Sequence, residues 1–383
     1  MPAKRAFDRV LFVTIILLCV SGLVMIYSAS AVVAAEQHGS PYHFLIRQGA
    51  AMLIGLAGMV LMMRANYRAL GRAPLVYGLL GIAALLLVGA LISPAVNGTH
   101  RWLRLGPISL QPSELAKPAL ILFLAWRLQR DHAHAHAQAH AQAQAQAHAA
   151  AAAEPIDLHR TLIPCLILSG LIILLVVMQP DLGTAVLLSI LSGAMFLAAG
   201  VRLRWLAAAA AAGAILLLVV IPMKGYQIDR FTSFLDPGAD PLGSGYHVRQ
   251  SVIAVGAGGA TGTGLSQGRQ KLFFLPYPYT DFVYSVIGEE LGLVGALLML
   301  GAFVVLLWRG LRVASRAPDM FGSYLAVGVT IFLVSQALIN MSVALGMLPA
   351  KGLPLPFVSY GGSALVAGLL ASGILLNVSQ YSS

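Results

Sequence analysis

The sequence predicts an all-α polytopic membrane protein with ten transmembrane helices and a large structured extracytoplasmic loop between helices 7 and 8. Three observations carry that prediction. Of 383 residues, 58% are hydrophobic and only 10% are Asp, Glu, Lys or Arg, whereas a soluble domain carries about 25% charged residues. Mean hydropathy is +0.83. The apolar residues also fall in blocks of about 20, the length a helix needs to cross a hydrocarbon core roughly 30 Å thick. A soluble enzyme, a disordered chain and a disulfide-stapled secreted domain are excluded. Cys19 and Cys165 both sit in apolar spans and imply no disulfide framework. The net charge of +10 is spread along helix ends rather than clustered on a soluble face, so nucleic acid is not an expected partner. No cleavable signal is expected, because the first apolar run lacks an A-x-A site and leads into further spans.

The spans read as 10–31, 44–63, 75–94, 111–126, 161–178, 183–200, 204–222, 281–308, 321–346 and 359–378, within a single domain covering 1–383. Basic residues set the orientation. With the N-terminus inside, the inner segments hold 14 of the 24 Lys and Arg: Lys4, Arg5 and Arg9; Arg64, Arg68 and Arg72; Arg127, Arg130 and Arg160; Arg202 and Arg204; Arg309, Arg312 and Arg316. An even number of spans returns the C-terminus to the cytoplasm.

Two connections stand out by size. The inner one, 127–160, is a low-complexity His/Ala/Gln cytoplasmic loop. His132, His136 and His140 share a helical spacing, yet no acid or cysteine completes a metal site. The outer one, 223–280, is rich in aromatic residues and turn signals. A loop of that length and composition is expected to be ordered and functional.

Ionisable residues in or beside apolar spans are functional candidates by default. Arg47 opens span two. Arg101, Trp102 and Arg104 precede Gln111-Pro-Ser-Glu-Leu-Ala-Lys117, where Ser113, Glu114 and Lys117 enter span four. Glu114 and Lys117 share a helix face, and read either as a self-neutralising pair or as a polar site able to meet an anion. Asp181 precedes span six as an N-cap signature. Span eight opens at Thr280-Asp281 and carries Glu289 and Glu290 deeper in, one of them expected to brace neighbouring helices. Asp281 lies at the boundary under the aromatic loop, where an acceptor hydroxyl could reach it, and suits general-base work. The segment from Pro349 through Lys351 to Ser359 and Ser363 has three prolines and a Gly-Gly pair, which forbid regular helix. Irregular backbone at membrane depth survives only where it is buried or lines a polar cavity. The run Gly256–Gly264 lacks a phosphate-loop pattern and reads as a tight-turned connector.

Taken in order, Tyr27-Ser-Ala-Ser30, Arg101-Trp-Leu to Lys117, Gln179-Pro-Asp-Leu-Gly-Thr184, Phe234-Leu-Asp-Pro to Tyr246, Gln250-Ser251, Thr280-Asp-Phe to Gly292 and Leu355-Pro-Phe-Val-Ser-Tyr-Gly-Gly-Ser363 resemble the SEDS family (shape, elongation, division and sporulation), which includes FtsW, RodA and SpoVE. The resemblance covers nearly the whole chain and excludes the 131–153 repeat. It implies a peptidoglycan glycosyltransferase that polymerises lipid II, undecaprenyl-pyrophosphate-linked disaccharide pentapeptide, into β-1,4 glycan strands. It places the essential acid on Asp281 and polar cavity residues on Arg47, Glu114 and Lys117. Arg101, Trp102, Gln111, Ser113, Lys351, Ser359 and Ser363 join the candidate substrate-binding set. Pro349-Ala-Lys-Gly and Gly288-Glu-Glu lie nearer the division member FtsW than RodA, the Phe234-Leu-Asp-Pro and Gly245-Tyr-His247 forms lean toward RodA, and Tyr277-Pro-Tyr279 departs from the Glu-x-His usual before Thr-Asp.

The same resemblance implies a class B penicillin-binding protein as transpeptidase partner, other divisome or elongasome membrane proteins, and residence in the bacterial cytoplasmic (inner) membrane at the division septum. The residues demand no cofactor. A divalent cation, Mg2+ or Mn2+, is compatible with a pyrophosphate donor. An elongation-type polymerase, a lipid II flippase and a non-catalytic scaffold for the transpeptidase are the alternatives.

Overall fold

The computed structural model describes residues 6–95, 99–106, 108–145, 161–220, 234, 244–349 and 351–382. The chain opens with α1 (Arg9–His38), whose N-cap Asp8 accepts from Leu11 N at 3.0 Å and which ends at Gly39 in the left-handed region, φ 70°. Then come α2 (His43–Arg64), the short α3 (Tyr67–Leu70) and α4 (Ala73–Ile92). A two-stranded antiparallel hairpin, β1 (Leu103–Leu105) and β2 (Ile108–Leu110), leads into α5 (Pro112–Ala145). The remainder comprises α6 (Ile163–Met178), α7 (Leu182–Ala198), α8 (Leu203–Val220), α9 (Ser244–Gly258), α10 (Val283–Ser315), α11 (Met320–Ala344) and α12 (Gly362–Ser379).

Each of the ten predicted spans falls on one of these helices. Six of them, α1, α2, α4, α10, α11 and α12, are long and apolar enough to cross a membrane; α6, α7 and the described apolar part of α8 are shorter. The fold is therefore all-α and polytopic. The helical backbone of α5 runs on to Ala145, through the first part of the segment read as an inner loop. Alanine and glutamine are good helix formers, so an Ala/Gln run extends a helix already nucleated. Residues 146–160 of that segment lie outside the described residues, as do 223–243 of the outer loop except Phe234. The described part of the outer loop is ordered, and it contains a helix, α9, that its composition did not announce.

At the centre stands α11, 72% buried over its apolar window against 22% for α2 at the edge. It packs on α10, α5, α7 and α12, while α12 packs on α2 and α9 on α10. The arginine-bearing ends of α1, α2 and α10 meet the C-terminal end of α12 at one end of the bundle. There Arg309 Nε donates to Asp8 at 2.8 Å, and Asp319 accepts from Tyr67 Oη and Arg68 Nε at 2.7 and 2.8 Å. The hairpin, the start of α7, α9 and the 351–361 segment gather at the other end.

One departure from regular helix matters for the site. α10 breaks at Gly292, φ 65°. Its lost ladder bonds are replaced by the Gly-rich connector: Leu293 N donates to Gly259 O at 2.9 Å, and Thr263 N and Gly264 N donate to the carbonyls of Glu289 and Glu290 at 3.0 and 3.1 Å. A Cβ on Gly258 or Gly262 would collide with the carbonyls of Gly288 or Glu290. The glycines are there for close backbone approach.

Candidate functional site

The site is built around the irregular segment 351–361. Its backbone groups have no ladder to join, so they need side-chain partners. Three buried amides supply them. Asn340 Nδ2 donates to Leu353 O and to Asp281 O, both at 2.8 Å. Gln336 Nε2 donates to Pro354 O at 2.8 Å. Gln48 donates to Ser359 O at 3.2 Å and accepts from Gly361 N at 3.1 Å. Leu355 N donates to Ser359 Oγ at 2.8 Å, and Tyr360 N to Tyr279 O at 2.8 Å. The expectation of a buried irregular segment holds, and the segment is tied to the turns that carry Asp281.

Asp281 is half-buried just before α10. The N-cap position is Phe282, one residue past Asp281; Thr280 Oγ1 donates to Tyr277 O at 3.3 Å. Gly352 lies against the Asp281 carboxylate: a methyl there would sit 3.4 Å from Oδ2. Beside Gly352, Lys351 is half-buried. Burial holds its ammonium below the usual lysine pKa, and the Asp181 carboxylate partly opposes that shift. Gly183, in the first turn of α7, packs on Lys351 and Leu353. The chain therefore brings Asp281, Lys351 and Asp181 to one neighbourhood from three distant sequence positions.

Under the segment lies a buried ion pair. Lys117 Nζ donates to Glu114 Oε1 at 2.7 Å and to Gln336 Oε1 at 2.8 Å, with the Phe332 ring centroid 5.3 Å away. Lys117 is 0% and Glu114 1% exposed. Among the described residues, Glu114 Oε2 and Ser113 Oγ have no hydrogen-bond partner. Pro118, inside α5, also leaves the Glu114 carbonyl without its intrahelical donor. Lys117 thus acts on the segment through Gln336.

The other predicted residues are placed as follows. Arg101 donates to the carbonyls of Gln179 (3.2 Å) and Pro180 and lies 3.9 Å from Asp181, so its charge is spent holding the turn between α6 and α7. Asp181 caps α7 by accepting from Thr184 N and Thr184 Oγ1, as its position predicted, and Gln111 Nε2 adds a contact at 3.4 Å. Trp102 is half-buried, and its carbonyl accepts from Ser93 Oγ. Arg47 is exposed while its neighbour Gln48 does the bonding; Ser363 is half-buried in the first turn of α12.

Glu289 and Glu290 belong to a separate cluster. Glu290 accepts from Lys271 Nζ at 2.6 Å, Ser28 Oγ at 2.6 Å and Ser266 N at 3.0 Å. Glu289 Oε1 accepts from the backbone of Arg269 and Gln270. Both acids, not one, clamp the 263–271 loop onto α10, and Glu290 also reaches α1. Ser251 Oγ bonds Ser285 Oγ and Ala344 O, fixing α9 to α10 and α11.

Sequence reasoning passed over Gln336, Asn340 and Lys271. A signal existed for the first two: they are polar residues at i, i+4 inside an apolar span. None existed for Lys271, whose partner is revealed only by the folding of the loop.

The comparisons with known proteins follow this geometry. A family model covering FtsW, RodA and SpoVE, described as "Cell cycle protein", matches residues 8–383. A probable peptidoglycan glycosyltransferase FtsW of Geobacter metallireducens is 38% identical over 97% of this chain and 94% of its own. Stage V sporulation protein E of Bacillus subtilis is 38% identical over 99% and 98%. Among solved structures, a chain of a peptidoglycan synthase complex that coordinates polymerization and crosslinking superposes with a TM-score of 0.76 at 30% identity, covering 98% of each chain. The rod shape determining protein RodA of Thermus thermophilus superposes with a TM-score of 0.66 at 27% identity, covering 98% and 97%.

Proposed function

From the premise that this chain belongs to the FtsW/RodA/SpoVE family of cell cycle proteins, we propose that it is a peptidoglycan glycosyltransferase that polymerises lipid II with Asp281 as general base. The observation that carries the residue assignment is the juxtaposition of Asp281 and the irregular segment: a half-buried carboxylate seated against Gly352 and beside Lys351.

In this reading Asp281 takes the proton from the GlcNAc 4-hydroxyl of an acceptor lipid II. The freed oxygen attacks the anomeric carbon of the donor chain's MurNAc, undecaprenyl pyrophosphate leaves, and inversion of the α-linked donor gives a β-1,4 bond. General-base catalysis contributes typically about 10²–10⁴-fold. Positive charge aimed at the departing pyrophosphate stabilises the transition state. Lys351 and the exposed Arg47 are the cations we assign to it. Lys117 and Arg101 are positioning residues instead, because their donors are committed to Glu114 and Gln336 and to the 179–181 turn. Among the described residues no three His, Cys, Asp or Glu side chains group as metal ligands, so no step is assigned to a protein-held Mg2+ or Mn2+.

We infer further that the chain works with a class B penicillin-binding protein in the bacterial cytoplasmic membrane, both termini cytoplasmic, and that its role is septal. The relatives named FtsW favour the septal role. The structural likeness to a synthase complex favours the transpeptidase partner. The test is lipid II polymerisation by the protein co-purified with that partner. Wild type should make glycan strands and Asp281→Asn should not. Strands from both would move the base elsewhere. Strands from neither, with the complexes intact, would favour a flippase or scaffold.

A further inference from the structure

At the arginine-bearing end, remote from Asp281, a cavity of about 400 Å³ opens between the start of α1, the end of α10 and the end of α12. Arg9, Arg309, Arg312 and Arg316 line it, with Asp8 and Ser382. The three α10 arginines stand at i, i+3 and i+7, which puts them on one helix face. Asp8 neutralises one charge: it pairs with Arg309 and simultaneously caps α1. Arg9, Arg312 and Arg316 are exposed, and no acid among the described residues pairs with them. A concave site with an excess of about three guanidinium charges asks for an anion of more than one oxygen, because each guanidinium offers a planar fork of donors.

A second, independent observation narrows the ligand. Exposed apolar side chains stand on both helices that flank it, and one of them, Val10, lines the cavity itself. On α1, Val10, Val13 and Leu17 are exposed; on α10, Trp308 and Leu311 are exposed. These helices pack on each other. A guanidinium-lined cavity beside exposed apolar side chains, at the end of a membrane bundle, matches an anionic phosphate joined to acyl chains. Basic pockets between spans recognise lipid headgroups through this combination of charge and hydrocarbon contact. A free phosphate would use the arginines and leave those apolar side chains idle.

We propose that this cavity binds the phosphate of an anionic phospholipid, with Arg312, Arg316 and Arg9 holding the headgroup and the exposed apolar side chains of α1 and α10 contacting an acyl chain. The site is distinct from the proposed polymerisation site and does not depend on that reading.

The test uses the full chain, titrated with phosphatidylglycerol or phosphatidylcholine and read by native mass spectrometry. One saturable phosphatidylglycerol adduct is expected on wild type, with phosphatidylcholine far weaker. The R312Q/R316Q variant should weaken it by about tenfold or more. R202Q/R204Q, which removes the same charge from the turn before α8, should leave it unchanged. All proteins should keep the wild-type melting temperature, since these arginines are exposed; single R312Q and R316Q variants repeat the comparison if the double variant does not fold. Equal retention in R312Q/R316Q, equal binding of phosphatidylcholine, or full displacement by inorganic phosphate at matching concentration would each overturn the proposal. An absence of any lipid adduct would also overturn it and leave the face to an acidic protein segment.

Discussion

Among the described residues the bundle buries two acid–lysine pairs, and they are built differently. Glu290–Lys271 joins three separate pieces of chain: α10, the 263–271 loop and, through Ser28, α1. Both Glu290 oxygens are satisfied. Glu114–Lys117 is local to one helical turn and, among the described residues, leaves Glu114 Oε2 and the adjacent Ser113 Oγ without hydrogen-bond partners and reaches beyond α5 through Gln336 alone. A saturated pair that ties distant segments is a brace. A pair with orphaned polar atoms beneath an irregular segment maintains a site at a cost in stability, since each buried unsatisfied group costs about 1–3 kcal/mol. The two would be indistinguishable by burial alone.

The largest expected effect breaks this contrast directly. Lys271→Met leaves Glu290 buried and uncompensated, which costs about 3–5 kcal/mol, read as a lower melting temperature in detergent. Adding Glu290→Leu should recover most of that stability and of the polymer yield, because replacing a whole buried pair by apolar groups is often neutral. The matching double variant at the other pair, Lys117→Met with Glu114→Leu, should recover its melting temperature but not its yield, because Gln336 loses the ammonium that orients it toward Pro354 O. Full yield from that variant would erase the distinction.

Next in size is Asn340→Leu. It strips a donor from the carbonyls of Asp281 and Leu353, each worth about 1–3 kcal/mol when orphaned. Polymerisation should fall more than stability, measured as strand yield per folded protein. The smallest effect belongs to Arg68→Ala. Arg68 is 36% exposed in its bridge to Asp319, and such pairs give below about 1 kcal/mol. At Asp319, burial pushes the carboxyl up, but hydrogen bonds from Tyr67, Gly322 N and Arg68 outweigh it and hold it below the usual value. Stability from this contact is therefore present above the unfolded carboxylate pKa and is lost as pH falls below about 4, through the lower folded value. A thermal melt against pH checks the sign.

Much of this was legible in the sequence. Hydropathy located the helices, because apolar runs of membrane length have few other fates. The prolines and glycines of 349–363 announced buried irregular backbone, and Asp181 announced its cap. Arg101 was read as a substrate contact, yet the structure spends it on the carbonyls of the 179–181 turn, since a sequence does not show which acceptor a long side chain finds. The break at Gly292 was not legible either. It exists because the 259–264 backbone supplies bonds that α10 gives up, a partnership between segments some 30 residues apart. Gln336 and Asn340 could have been found, since two amides one turn apart in an apolar span need buried partners.

The most direct measurement sets Asp281→Asn beside Glu290→Gln and records melting temperature and glycan strand yield for each in complex with the transpeptidase. The account predicts that Asp281→Asn melts like wild type and loses about 10²–10⁴-fold in polymerisation, whereas Glu290→Gln melts lower and its folded fraction still makes strands. A well-folded, inactive Glu290→Gln beside an active Asp281→Asn would exchange the roles assigned to the two acids and contradict the account.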